Sequence, residues 1–173
     1  MNAITHEFSE SLAKSHEQAS APWWLEVYRK AFPSLSSYVC VRNDGWAQRG
    51  GIDRVLVLDS GRIIYVDEKV REKDWPDFLL ERWSDEAREK PGWIQKPLAC
   101  DFIAYAFVAS STCYLLPTQT LQRAWRMYGR QWIAIYGTIR AQNRGYVTAS
   151  VPVPRGILLA SLSDAMVVRW EVI

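Results

Sequence analysis

A mixed α/β domain of the α+β type is what this sequence predicts, on three observations. Apolar runs rich in β-branched and aromatic residues recur at 37–42, 52–58, 62–70, 102–108 and 112–116. Two other stretches, 23–32 and 118–132, repeat their apolar residues at helical spacing. The resulting order is a helix, three strands, an ambiguous element, two strands, a helix and a mixed tail, which suits a largely antiparallel or mixed sheet. The chain has 173 residues, 49% of them hydrophobic, enough for one core. Residues 1–20 read as a polar N-terminal segment, with a frayed helix over 5–18, and residues 21–173 as a single domain.

The first helix follows Ala21-Pro22, proline being suited to a first helical turn. Trp24, Val27, Tyr28 and Ala31 share one face, and Pro33 ends the helix. Residues 52–58 (IDRVLVL) and 62–70 (RIIYVDEKV) flank Asp59-Ser60-Gly61 and so predict a hairpin. Residues 77–84 (DFLLERWS) fit a short helix or a strand, and residues 85–92, charged and closing on Pro91-Gly92, fit a loop. Residues 102–108 and 112–116 form a second hairpin around Ser110-Ser111, stopped by Pro117. Thr118 is the expected N-cap of the second helix, on which Leu121, Trp125 and Tyr128 align. The tail adds β-rich runs at 145–153 and 165–172.

Charge and cysteine content narrow the chemistry. The net charge of +2 does not demand nucleic acid, so the position of basic residues matters more than their total. Cys40, Cys100 and Cys113 are odd in number and far apart, which argues against a disulfide framework or zinc cluster and for buried thiols. His6 and His16 lack ligand spacing. No apolar signal core is visible at the start, and the most apolar stretch, 102–116, falls short of the roughly 20 residues of a membrane helix. A soluble, cytoplasmic protein without a membrane partner is expected.

Taken as a three-residue loop, Asp59-Ser60-Gly61 sets the register of the first hairpin. Leu58 then faces Arg62, and Asp53 falls opposite Asp67 on the same sheet face, with Cβ atoms roughly 5 Å apart. Two carboxylates so close repel unless a cation joins them. Strand alternation puts Lys69 on that face, opposite Gly51, whose missing side chain leaves space for substrate. Mg²⁺ prefers carboxylate oxygens, lowers the pKa of a bound water and polarises a phosphate, while an ammonium positions the water or meets the growing charge. Asp53 can also be read as a surface acid near a turn, and Asp67-Glu68-Lys69 as a solvated strand end. A two-residue turn would oppose Asp53 to Glu68 and take Lys69 off the face.

The stretch Gln48-Arg49-Gly50-Gly51-Ile52-Asp53, followed by Asp67-Glu68-Lys69, resembles the active-site hairpin of the PD-(D/E)XK, or restriction-endonuclease-like, nuclease superfamily. Ile52 stands where that family often has proline. The segments QRGGIDRVL, VDEKVR, LLERWS, PGWI and DFIAYAF, over about residues 46–108, are similar to uncharacterised phage and bacterial members. The resemblance implies a helix, a three-stranded meander, a further helix and a strand in a mixed sheet. It implies a Mg²⁺- or Mn²⁺-dependent nuclease that hydrolyses phosphodiester bonds, with DNA the expected substrate, Asp53 and Asp67 as metal ligands, and Lys69 completing the catalytic set. Many members act as dimers, so a homodimer is implied, although no interface signal stands in the sequence.

Some members of that superfamily take another acid from the first helix, here Glu26, although its apolar stripe puts Glu26 on the polar face. Glu81 is a second candidate if residues 77–84 form a strand; otherwise it pairs at the surface with Arg82 or Lys73. Gln48 recurs in the resembling group and touches substrate or shapes its loop. Arg49, Arg54, Arg71 and Lys73 surround the patch and could neutralise phosphates; Arg71 continues the face of Asp67 and Lys69. Trp46, Trp75 and Trp93 stack on bases or pack under loops. Two other readings stay open: an inactive module of the same fold that binds nucleic acid or a protein partner, and a phage protein that modulates host functions through a Trp-rich surface.

Overall fold

The computed structural model describes residues 21–171. The expected helix over 5–18, with His6 and His16, lies outside them. The chain forms a mixed α+β structure that divides into two compact units. Among the described residues, one comprises 21–75, 98–120 and 162–171; the other holds Pro76–Pro97 and Leu121–Ser161. Among the described residues no helix is long and apolar enough to cross a membrane.

The first unit is built on a six-stranded mixed sheet. Its strands are β1 (Leu35–Cys40), β2 (Arg54–Leu58), β3 (Ile63–Arg71), β6 (Phe102–Phe107), β7 (Thr112–Pro117) and β10 (Met166–Arg169), paired in that order. Strands β1, β2 and β3 form an antiparallel meander, and β3 pairs with β6 in parallel. The segment joining these parallel strands contributes two strands to the other unit, not the further helix that the resemblance implies.

Helix α1 (Trp23–Ala31) packs its stripe of Trp24, Val27 and Tyr28 on one face of this sheet, as its spacing predicts. Alternation supplies the rest of that core: Leu56 from β2, Ile64 and Val66 from β3, Ala104 and Ala106 from β6, Cys113 and Leu115 from β7, Val168 from β10. A short helix, α2 (Gly45–Gly50), lies between β1 and β2.

The second unit holds an antiparallel sheet ordered β5 (Lys90–Pro91), β4 (Asp77–Asp85), β9 (Tyr146–Pro154), β8 (Ile139–Asn143). The ambiguous run is therefore a strand, with a bulge between Glu81 and Trp83 where it meets β9. Helix α3 (Thr118–Tyr136) reaches further than 118–132, and α4 (Arg155–Ala160) follows β9. Thr118 is the first helical residue, not the cap before it; its Oγ1 sits 3.3 Å from Cys100 Sγ. Cys100 and Cys113 are buried and free, whereas Cys40 is exposed on β1, a departure from three buried thiols.

Candidate active site

Strands β2 and β3 have the register of a three-residue loop over Asp59, Ser60 and Gly61. Val57 pairs with Ile63 and Arg54 with Val66, and the Leu58 N–H donates to the Arg62 carbonyl at 2.9 Å. Gly61 takes the positive φ of 79° that this loop needs, and its N–H returns to the Leu58 carbonyl. Asp53, one residue before β2, lies past the end of the regular ladder: its N–H donates to the carbonyl of Val66, the partner of Arg54, at 2.8 Å, and its Oδ2 accepts the Glu68 N–H at 2.9 Å. Its carboxylate is thus fastened against β3 beside Asp67.

Asp67 is buried, only 4% exposed. Lys69, two residues along β3 and on the same face, places Nζ 2.7 and 2.8 Å from its two carboxylate oxygens. Burial pushes the Asp67 carboxyl up to about 6, and the charge and hydrogen bond of Asp53 push the same way, against the pull of Lys69. Asp67 therefore retains its proton into the weakly acidic range. On β6, Tyr105 pairs with Lys69 and Ile103 with Asp67, so a buried apolar strand flanks the pair.

Gly51 precedes the β2–β3 ladder, which ends at Arg54 and Val66. It is the left-handed C-cap of α2, with φ 65°, and its N–H reaches the Ala47 and Gln48 carbonyls. A Cβ there would lie 2.5 Å from Leu98 Cδ2. The left-handed backbone favours glycine here, and any larger residue would also have to displace the end of the Leu98 side chain.

The opposite face carries an ionic network that sequence reading missed. Glu68, fully buried at its side chain, accepts from Tyr28 Oη at 2.6 Å, Arg54 Nε at 2.9 Å and Arg42 Nη2 at 3.0 Å. Burial works against the Arg54 charge, but the hydrogen bonds and charge of Glu68 outweigh it and raise the Arg54 pKa. Burial and the Glu68 charge hold the Tyr28 hydroxyl well above its ordinary range. Arg54 is therefore a core cation, 5% exposed, rather than a phosphate contact. Arg42 also stands 3.3 Å from Asp53 Oδ2, so one guanidinium links the network to the acid pair. A signal was present: alternation places Glu68 with Ile64 and Val66, and an acid on an apolar face needs a buried partner.

Glu26 points elsewhere. It pairs with Lys30 at 2.7 Å and accepts the Glu171 N–H at 3.1 Å, and both interactions, the Lys30 bond foremost, lower its pKa. It lines an apolar recess of about 700 Å³ with Trp23 and Trp170. Glu81 belongs to β4 of the other unit, where it accepts the Trp93 N–H at 3.4 Å. Gln48 is exposed on α2 and donates to the Arg42 carbonyl at 2.7 Å, which fixes the loop after β1. Arg49 is exposed on the same helix. Arg71 ends β3 on the Asp67 and Lys69 face, 5.2 Å from the ring centre of Trp75, and Lys73 lies 5.9 Å from it. Trp46 and Trp75 are exposed, whereas Trp93 is buried.

Among the described residues no group of three or more His, Cys, Asp or Glu side chains is arranged to hold a metal ion. Two carboxylates still fit Mg²⁺ or Mn²⁺, because Mg²⁺ is commonly held by one or two carboxylates, with waters and phosphate oxygens completing its shell. No protein-family model, curated protein or solved structure matches this chain.

Proposed function

We propose that this protein is a divalent-metal-dependent nuclease of the PD-(D/E)XK type that hydrolyses phosphodiester bonds, with DNA as substrate. One observation carries the reading: Asp53 and Asp67 meet on one sheet face with Lys69 beside them, and the buried Asp67 is held near a pKa of 6 by burial and by the second acid. Such a pair is costly to keep ionised by itself and becomes favourable when it shares a cation.

Asp53 and Asp67 hold Mg²⁺ or Mn²⁺. The bound ion supplies Lewis acidity toward water and phosphate oxygen. Asp53 is oriented by the Glu68 N–H and Arg42, so the pair is set before any ion arrives. Lys69, partly exposed at its side chain, presents its ammonium at the mouth of the pair. There it orients the attacking water and meets negative charge on the phosphoryl oxygens. Tyr105 and Ile103 limit access of bulk water from the β6 side, where both are buried.

A second reading, a nucleic-acid-binding module without catalysis, draws on the absence of a third acid beside the pair among the described residues. Incubation of the purified chain with single-stranded, duplex and branched DNA and with RNA in Mn²⁺ separates the two. The nuclease reading expects cleavage that EDTA stops and Asp53→Ala removes. Intact substrates throughout would refute it and favour the binding module.

A further inference from the structure

Beyond the acid pair, the loop that follows β3 presents an aromatic side chain to solvent. Trp75 is 44% exposed, an unusual state for the largest apolar side chain. Two cations accompany it: the Arg71 guanidinium carbon lies 5.2 Å from its ring centre and the Lys73 ammonium 5.9 Å. Arg71 follows Lys69 by two residues on β3 and pairs with Phe107 where Lys69 pairs with Tyr105, so both point to one face. At the strand rise, the two positions are about 7 Å apart.

The loop that carries Trp75 is pinned. The Ala109 N–H donates to the Glu72 carbonyl at 3.0 Å, and the Ser110 hydroxyl donates to Asp74 Oδ1 at 2.9 Å. Both anchors stand on the short 3₁₀ turn Val108–Ser110 that follows β6. The Trp75 N–H closes a tight turn onto the Lys73 carbonyl at 3.0 Å. Residues 72–75 are therefore tied at both side chain and backbone to the sheet that carries the acids, and the ring is presented with little ordering left to lose.

We infer that Trp75, with Arg71 and Lys73, is a stacking platform for an unpaired base of a nucleic-acid strand whose phosphates run past Lys69. An exposed indole offers a π-face to any base, and cations at the ring meet the adjoining phosphates. In an intact duplex the bases already stack on one another, so the platform selects a strand with at least one base free. This substrate class rests on the nuclease reading for its purpose, but binding can be measured without cutting.

The test is fluorescence anisotropy in EDTA at low salt with labelled dT12, U12, a blunt dT12·dA12 duplex, and a 12-residue abasic strand of the same phosphate count. Wild-type protein is expected to bind dT12 or U12 about tenfold more tightly than the abasic strand and the duplex; the tighter of the two strands identifies the sugar. Trp75→Ala should lose that preference and bind the abasic strand as wild type does, while Trp75→Phe keeps most of it. Unchanged melting of both variants shows that the fold is intact. Equal wild-type affinity for dT12, U12 and the abasic strand would overturn the platform, even if Mn²⁺-dependent cleavage is observed. A preference for dT12 or U12 that Trp75→Ala abolishes would uphold it, even if no substrate is cut.

Discussion

The backbone N–H of Glu68 donates to Asp53 Oδ2 at 2.9 Å, while the Glu68 side chain turns to the other face and holds Arg42, Arg54 and Tyr28. One residue thus fixes the first acid of the pair through its backbone and anchors the core cations through its carboxylate. Arg42 closes the loop by touching both Glu68 and Asp53.

Removing the Glu68 carboxylate leaves two guanidinium groups without their shared partner, one of them buried. Glu68→Ala is expected to cost about 3 to 5 kcal/mol of unfolding free energy. Tyr28→Phe removes one hydrogen bond to that charge and should cost about 2 kcal/mol. Urea denaturation of the two variants checks both values and their order.

Asp67 predicts an unusual pH dependence. Its carboxyl rises from the ordinary 3.8 to about 6 on folding, chiefly through burial. Between these values the native state binds more protons than the unfolded chain, so stability falls as pH rises. Above about pH 6 the full penalty is present, on the order of 3 kcal/mol. In EDTA, Asp67→Asn should therefore be more stable than wild type at pH 8, and the gain should vanish below about pH 4. Denaturation at the two pH values tests this, and a less stable Asp67→Asn protein at pH 8 would refute it.

Gly51→Ala should destabilise by about 1 to 2 kcal/mol, from the left-handed backbone and the approach to Leu98 Cδ2. Adding Leu98→Ala removes the steric contact, so part of the Gly51→Ala cost should disappear in that background. A full double-mutant cycle by thermal or urea unfolding measures the coupling.

Lys69→Met separates binding from chemistry. The acids remain, so Mn²⁺ should still raise the melting temperature, while cleavage falls at least about 100-fold because one charge-stabilising donor is gone. Parallel melts and single-turnover cleavage assays read the two effects.

Much of the first unit was legible because its signals are local. Gly61 fixes a three-residue loop, the loop fixes the register as far as Arg54 and Val66, and Asp53 just beyond it reaches the Glu68 N–H and Asp67. Trp24, Val27 and Tyr28 repeat at helical spacing and are buried as that spacing requires. The unread parts lack such signals. Helix α2 is one short run with glycine at both ends, and β8 is a largely exposed edge strand, Ile-Arg-Ala-Gln-Asn, too short and too polar to stand out. Strand β4 carries the unbroken apolar run Phe78-Leu79-Leu80 and has a bulge against β9, so its period resembles neither template cleanly. The Tyr28–Glu68 bond spans 40 positions, and Arg42 reaches Glu68 across 26. Sequence spacing alone cannot choose such partners.

Direct Mn²⁺ titration followed by electron paramagnetic resonance, on wild-type protein and on Asp67→Ala, tests the central claim most directly. Wild-type protein should bind Mn²⁺ saturably, and Asp67→Ala should not. Indistinguishable Mn²⁺ binding by the two proteins would contradict that claim.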